Sequence, residues 1–207
     1  MEVNPHDLLE IEGIQDISSL STIPDWVELS LAKAPFVVVR RARASEGLIA
    51  VGIRGSERNE RFPAFLPVNR IIRRITPEQL TRDRKWSEQP KEIFQGLEQI
   101  GKLMDSHSLK WGPGGSIGFE LASGKETTRK TSDIDIVIHF SKNFTLDFAR
   151  KIEAELKKNQ FQVDVQIETL EGAFLLGEYA AVGEKPILLR TIDGPILKKI
   201  TIEKYDK

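Results

Sequence analysis

Cysteine is absent from the 207 residues of this sequence, and histidine occurs only three times, at positions 6, 107 and 139. The lack of cysteine excludes disulfides, cysteine-ligated zinc, iron–sulfur clusters and thiol nucleophiles. The wide separation of the three histidines disfavours a histidine-rich metal site. No run of 18 apolar residues occurs, so the sequence predicts no membrane span.

The first residues lack the pattern of a targeting segment. MEVNPHDLLEIEGI has no basic stretch followed by an apolar one, so we expect no secretory signal peptide, a cytoplasmic location and no membrane partner. Neither sign of charge dominates, because 30 Lys and Arg face 31 Asp and Glu. This balance disfavours a globally basic nucleic-acid binder. With 40% hydrophobic and 29% charged residues, the chain has a soluble globular composition and room for one or two domains.

Charge is nevertheless uneven along the chain. Residues 1–35 carry seven acids and one base, whereas residues 36–85 carry twelve bases and five acids, and eleven of those bases are arginine. Arginine favours bidentate contacts with phosphates and carboxylates. Two interpretations stay open for this basic segment: a solvated face, or a surface that binds an anion.

Hydrophobic patterning predicts an α/β (α+β) fold in two parts. A small β-rich domain is expected over 1–80, with strands at 36–39 and 48–53, an exposed loop at 54–61, and Pro63 and Pro67 marking its exit. A domain with a mixed sheet and helices is expected over 81–207. Its predicted elements, in order, are a helix over about 92–104, a strand at 132–140, a helix at 145–158 capped by Thr145, a strand at 162–167, a strand at 187–189 and an edge strand near the end.

A glycine-rich turn precedes the predicted strand at 132–140. In Gly112-Pro113-Gly114-Gly115-Ser116, adjacent glycines let backbone N–H groups turn toward one anion, and Ser116 adds a hydroxyl donor. If Ser116 opens a short helix through Phe119, the positive end of that helix points at the same position. The pattern favours a phosphate site at Gly114, Gly115 and Ser116. An ordinary glycine turn is the alternative.

Three aspartates accompany this turn. Alternation along the strand puts Asp133 and Asp135 on one face, where two close carboxylates need a cation, and hard oxygen ligands suit Mg²⁺. Asp164 alternates with apolar residues on a later strand, and would join the pair if the two strands are neighbours. Three carboxylates beside a phosphate site are typical of two-metal phosphoryl or nucleotidyl transfer. Ordinary surface acids, with Gln162 and Gln166 on the same solvated face as Asp164, are the alternative.

The spacing of the Gly-Gly-Ser turn, the Asp-x-Asp pair and the later single Asp resembles the DNA-polymerase-β-like nucleotidyltransferase superfamily. A closer resemblance extends along the whole chain, to the malonate decarboxylase holo-acyl-carrier-protein synthases, also called phosphoribosyl-dephospho-CoA transferases. The segments that carry it are PHDLL at 5–9, WGPGGSIGFELASG at 111–124, SDIDIVI at 132–138, VDVQIET at 163–169, and Leu189-Arg190-Thr191 with Gly194-Pro195.

This resemblance implies a reaction and roles for the site residues. The donor would be 2′-(5″-triphosphoribosyl)-3′-dephospho-CoA, and a serine of the apo acyl-carrier protein of malonate decarboxylase would attack it and release pyrophosphate. Asp133, Asp135 and Asp164 would be catalytic and would hold two Mg²⁺ ions. Lys125 and Arg129, in the loop between the motifs, are expected to bind substrate phosphate; other cationic candidates are Lys130, Arg54, Arg58, Arg61 and Arg190. The resemblance assigns no role to His6.

Two other functions stay open. A nucleotidyltransferase that uses an NTP to modify a small molecule or protein would have the same metal site and differ in its donor. A non-catalytic nucleic-acid-binding module would use the Arg-rich segment and bind in a salt-sensitive way, but it gives no reason for three aligned aspartates. An acidic carrier protein is expected to dock on the basic segment at 36–85.

Overall fold

The computed structural model describes residues 2–57, 59–82, 84–141, 144–182 and 185–200. Within these ranges, two sheets and six α-helices confirm the expected α+β class. The chain divides into a first unit, Met1–Thr76 with Phe119–Thr127, and a second unit, Pro77–Gly118 with Thr128–Lys207. The domain boundary at residue 80 stays a prediction. In the described part of the chain, no helix is both long enough and apolar enough to cross a membrane.

The first unit is built on a five-stranded antiparallel sheet in the order β4-β3-β2-β1-β5. Its strands are β1 (Leu8–Glu10), β2 (Phe36–Val39), β3 (Leu48–Arg54), β4 (Arg61–Pro67) and β5 (Arg73–Ile75). Helix α1 (Asp25–Lys33) and two short 3₁₀ segments, Ile14–Asp16 and Val68–Arg70, complete the part before residue 76. The strands expected at 36–39 and 48–53 are confirmed. Sequence patterning did not predict β1 or α1.

Prolines 63 and 67 were expected to mark the exit after the exposed loop, and the strand that contains them was not predicted. Both lie within β4, which pairs with β3 from Arg61 to Pro67. The backbone N–H of Phe65, between them, donates to the carbonyl of Ser18 on the outer side of β4. Because backbone N–H groups alternate in direction along a strand, Pro63 and Pro67 also face outward. Neither proline therefore removes a hydrogen bond to β3.

Apolar side chains line both faces of this first sheet. On one face, Leu9, Val37 and Val51 belong to a buried cluster that includes Val27 and Leu31 of α1. On the other face, the buried cluster joins strand residues to Phe119 and Ala122; its strand and strand-flanking members are Leu8, Ala34, Phe36, Val38 and Ile75. The segment 119–127 thus completes the core of the first unit although it lies far along the chain.

The second unit contains a six-stranded mixed sheet in the order β11-β10-β9-β8-β7-β6. Its strands are β6 (Trp111–Pro113), β7 (Ile134–His139), β8 (Val163–Glu168), β9 (Ala173–Leu175), β10 (Ile187–Thr191) and β11 (Gly194–Lys198). The remaining helices of the chain are α2 (Pro77–Leu80), α3 (Glu92–Ser106), α4 (Gly115–Ser123), α5 (Leu146–Leu156) and α6 (Leu176–Val182), with a 3₁₀ segment at Lys85–Glu88. Strands β7 and β8 are parallel, and the other neighbours are antiparallel.

The helical patterns of the sequence are confirmed. Ile93, Leu97, Ile100 and Met104 are all buried on α3. Helix α5 begins after Thr145, whose Oγ1 accepts a hydrogen bond of 3.2 Å from the backbone N–H of Phe148. This bond satisfies one of the backbone donors left open at a helix start. Strand β11 lies at the edge of the sheet, as expected for the last apolar segment.

The two faces of the second sheet differ in character. One face is buried and apolar, with Ile134, Ile136, Ile138, Val165, Ile167, Phe174, Ile187 and Leu189. The opposite face, called the polar face below, carries Asp135, His139, Asp164, Gln166, Glu168 and Arg190. Strand register determines this division, because paired residues on neighbouring strands point to the same side.

Candidate active site

Asp135 and Asp164 lie side by side on the polar face. The parallel pairing of β7 with β8 matches Asp135 to Asp164, Ile136 to Val165, and so on to His139 and Glu168. Helix α5 supplies the crossover that parallel strands require. The predicted pairing of these two strands is therefore confirmed, and it brings two carboxylates from distant parts of the chain together.

Asp133 occupies a different position from the one expected. Strand β7 begins at Ile134, so Asp133 precedes the strand and alternation does not fix the direction of its side chain. Within the described ranges, no group of three or more His, Cys, Asp or Glu side chains is arranged to hold a metal ion. The geometry thus provides an aligned pair of carboxylates rather than the expected cluster of three. Asp133 as a ligand stays a prediction.

The carboxylate of Asp164 lies at the protein surface and accepts a hydrogen bond from a neighbouring glutamine. Asp164 is exposed, and its Oδ1 accepts a hydrogen bond of 3.2 Å from Nε2 of Gln162. On the same strand, Nε2 of Gln166 donates to Oε1 of Glu168 over 2.7 Å. The two glutamines that suggested a merely solvated face therefore each bond to an acidic neighbour, one of which is Asp164.

The glycine-rich turn packs directly against Asp135. The N–H of Gly114 donates to the backbone carbonyl of Asp135 over 2.8 Å. Gly115 has a φ of 54°, in the left-handed region that favours glycine, and a Cβ added to it would overlap Oδ2 of Asp135. Only glycine leaves room here for the carboxylate to lie against the backbone.

Helix α4 begins at this turn and extends to Ser123. The expected short helix from Ser116 through Phe119 is confirmed and is longer than predicted. Ser116 lies in the first turn and is buried. The N–H of Gly114 is bonded within the fold. Phosphate contacts by Gly114, Gly115 and Ser116 stay predictions.

Two further side chains near the motifs have structural partners. Trp111 is buried, its Nε1 donates to Oδ1 of Asp105 over 3.0 Å, and its ring lies 6.2 Å from that of Trp86. This supports core packing rather than base stacking for Trp111. Nε2 of His139 forms a hydrogen bond with Oε1 of Glu78. That partner disfavours a phosphate contact by His139.

The predicted phosphate-binding cations are divided between the units. Lys125 belongs to the first unit, and Arg129 and Lys130 to the second. Burial, together with the positive charges of Lys33 and Arg54, lowers the pKa of Lys125 below its ordinary value. Lys33 and Arg54 therefore each lie close enough to repel the positive charge of Lys125. Sequence reasoning did not identify Lys33, which is far from the motifs in the chain.

The remaining cationic candidates have separate positions. Arg129 is exposed, and its backbone N–H donates to Oγ of Ser132 over 2.9 Å. Arg54 and Arg61 are paired across β3 and β4 on one face of the first sheet. Arg58 lies outside the described residues. Arg190 is on the polar face of the second sheet, with Asp135 and Asp164.

The donor atoms at this site fit a magnesium ion. Mg²⁺ is held by oxygen ligands, commonly one or two carboxylates completed by substrate phosphates and water. Asp135 and Asp164 provide two carboxylates in register, and the turn at Gly115 keeps the backbone clear of the Asp135 oxygens. This arrangement can bind a cation and a phosphate together.

Comparison with known proteins gives a consistent result along the chain. The family model described as phosphoribosyl-dephospho-CoA transferase MdcG N-terminal domain matches residues 4–77. The model of the C-terminal domain of the same transferase matches residues 79–200. No solved structure matches the chain.

Curated relatives with the name phosphoribosyl-dephospho-CoA transferase match over most of their length. The protein from Pseudomonas fluorescens (strain Pf0-1) is 36% identical over 183 residues, covering 88% of this chain and 87% of the relative. The protein from Pseudomonas syringae pv. tomato is 35% identical, covering 93% and 90%. The protein from Azotobacter vinelandii is 34% identical, covering 89% and 87%.

Proposed function

We infer the reaction from one premise: the chain belongs to the phosphoribosyl-dephospho-CoA transferase family and is a transferase. We propose that it transfers the phosphoribosyl-dephospho-CoA group from 2′-(5″-triphosphoribosyl)-3′-dephospho-CoA to a protein. The acceptor is a serine of the apo acyl-carrier protein of malonate decarboxylase. Membership of the DNA-polymerase-β-like nucleotidyltransferase superfamily is part of the same proposal.

The proposed step is a displacement at phosphorus. The serine oxygen forms a bond to the α-phosphorus of the donor triphosphate, and the bond between that phosphorus and the bridging oxygen breaks. The serine hydroxyl gives up its proton, and pyrophosphate leaves with the bridging oxygen. The product is a phosphodiester. Because little covalent chemistry falls to the protein in such transfers, position and charge are its main contributions.

The aligned pair of Asp135 and Asp164 beside the glycine turn is the observation that carries this proposal. These two residues, with Asp133 as a third proposed ligand, would hold two Mg²⁺ ions. Magnesium there would neutralise phosphate charge and lower the pKa of the incoming hydroxyl. Gly115 and Ser116 would hold the leaving diphosphate through backbone N–H groups and the Ser116 hydroxyl. Gly114 would shape this turn, and Lys125 and Arg129 would bind further phosphate oxygens.

Intact-mass spectrometry of the carrier protein tests the proposal. The purified enzyme is mixed with Mg²⁺, the triphosphoribosyl-dephospho-CoA donor and the apo carrier, and parallel samples contain ATP, GTP, CTP or UTP instead. We expect a mass gain of one phosphoribosyl-dephospho-CoA group. A gain of one nucleotide monophosphate would instead support the NTP-dependent alternative, and no gain from any donor would overturn both enzymatic proposals.

Substitution of Asp135 separates its role from folding. Asp135→Asn should reduce the rate of transfer by about 10³-fold, because it removes a charged ligand of the proposed Mg²⁺ beside the reacting phosphate. The thermal unfolding curve should change little. Asp147→Asn is the matched control, since the Asp147 side chain on α5 is 95% exposed. Equal turnover by Asp135→Asn and the control would contradict the assignment.

A further inference from the structure

Arg190 lies on the polar face of the second sheet but has no part in the reaction proposed above. It is paired with Ala173 of β9, and Ala173 is in turn paired with Glu168 of β8. The preceding residue, Leu189, is fully buried on the opposite face. Alternation therefore directs Arg190 to the same side of the sheet as Asp135 and Asp164.

The guanidinium of Arg190 has an unusual environment. Its Nη1 atom is buried and has no hydrogen-bond partner in the part of the chain that the structure describes. Arginine keeps its positive charge at all ordinary pH values, and a buried N–H group without an acceptor is unfavourable. An acceptor from a ligand would satisfy it. Phosphate is the natural candidate, because the guanidinium matches two phosphate oxygens at once.

The distance between Arg190 and the aspartate pair indicates which phosphate of a ligand Arg190 would bind. Arg190 lies four residues along the strand direction and two strands across from Asp164. Their Cα atoms are therefore about 16 Å apart. This separation favours an anion at Arg190 that is distinct from a phosphate held directly at Asp135 and Asp164. An anion at Arg190 would therefore be a second, separate anionic group on the same long ligand, or a different ligand.

Apolar residues lie beside Arg190 on the polar face, and the register places Leu188 level with Gln166, two residues nearer the level of Asp164 than Arg190 is. Leu188 of β10 and Leu197 of β11 are paired on the polar-face side, and Leu197 is 75% exposed. Across β9, at the register level of Arg190, the nearest acid is Glu168, which accepts a hydrogen bond from Gln166. This neighbourhood suits an anion attached to a weakly polar chain.

We propose that Arg190 binds the diphosphate of the dephospho-CoA moiety, while the triphosphate of the donor is held at Asp135 and Asp164. The inference rests on the proposed function and adds to it a residue for donor recognition. The donor carries two polyphosphate groups, separated by a ribosyl–adenosyl unit, and its pantetheine arm begins at the second of them. Leu188 and Leu197 lie beside the position where that arm would leave Arg190.

Binding of dephospho-CoA alone tests this role without any transfer chemistry. Titration calorimetry would compare the unsubstituted protein with Arg190→Ala, Arg190→Lys and the control Arg150→Ala, which removes a charge from α5. We expect Arg190→Ala to weaken dephospho-CoA binding by roughly 10- to 100-fold, as loss of a charged hydrogen bond predicts. Arg190→Lys should recover part of the loss, because an ammonium keeps the charge but not the two-point contact.

A second ligand distinguishes contact with the diphosphate from a general change of structure. Adenosine lacks the diphosphate, so its affinity should be equal in the unsubstituted protein and in Arg190→Ala. An equal loss for both ligands, unchanged dephospho-CoA binding in Arg190→Ala, or no dephospho-CoA binding by the unsubstituted protein would each overturn the inference. Failure of the mass-spectrometric transfer assay with normal Arg190-dependent binding would instead overturn only the proposed reaction.

Discussion

The two sheets of this protein differ in the side chains that their faces carry. The antiparallel sheet of the first unit has apolar clusters on both faces, one including α1 and the other including Phe119. The mixed sheet of the second unit has one apolar face and one face of acids, amides and an arginine. Chemistry is therefore proposed on the sheet that keeps one face polar.

The parallel pair β7–β8 is the main topological difference between the sheets. In an antiparallel hairpin, neighbouring strands run in opposite directions, and residues near the start of one lie beside the end of the other. In a parallel pair, the starts of both strands meet at the same edge. Asp135 and Asp164 are near the starts of their strands, so the crossover through α5 aligns them.

The largest expected difference between the sheets concerns stability. Leu9 is fully buried on the interior strand β1, and Leu9→Ala should reduce the free energy of unfolding by about 2–5 kcal/mol. Leu197→Ala, on the exposed edge strand β11, should change it by less than about 0.5 kcal/mol. Chemical denaturation measures both. Similar losses of unfolding free energy for the two variants would contradict this expected difference between β1 and β11.

On the polar face, the rate of transfer is expected to depend on the space around the Asp135 carboxylate rather than on buried apolar area. Gly115→Ala would add a Cβ that overlaps the Asp135 carboxylate and should reduce transfer by about 10²-fold through displacement of that group. Gly47→Ala is the matched control, because Gly47 has a φ of 77° and open space around it. Both variants pay similar backbone strain of roughly 1–2 kcal/mol, so equal transfer rates would contradict the displacement.

The smallest expected effect concerns Lys125 in the first unit. Burial and the charges of Lys33 and Arg54 lower the pKa of Lys125, so its protonated form opposes folding. Lys125→Gln should therefore raise the melting temperature slightly at neutral pH. The gain should shrink as the pH rises through the lowered pKa toward 10.5, because folded Lys125 then loses its proton before the unfolded chain does. A lower melting temperature for the variant at neutral pH would contradict this.

Much of the second unit could be predicted from local patterns. The apolar spacing on α3, the Thr145 cap and the alternation in β8 each depend on neighbours in the chain, and each is confirmed. The alignment of Asp164 with Asp135 required one added assumption, that the two strands are adjacent. The register supports that assumption.

The parts that could not be predicted depend on contacts between distant residues. Strand β1 is only three residues long and acquires its interior place by pairing with β2 and β5. The proximity of Lys33 to Lys125 likewise joins segments that no local pattern relates. The start of the strand at Asp133 was predicted one to two residues too early, since strand boundaries inferred from alternation can be wrong by one or two residues.

Helix α4 contains residues of both units, so no single cut in the chain separates one unit from the other. Its first turn belongs to the second unit, while Phe119 and Ala122 complete the core of the first. A truncated first unit ending near residue 76 would leave Leu8 and Phe36 without Phe119 as a packing partner. A chimera between relatives that exchanges only the N-terminal segment would combine a sheet from one parent with a core segment from the other. Recombination within this family should therefore preserve 119–127 together with 1–76.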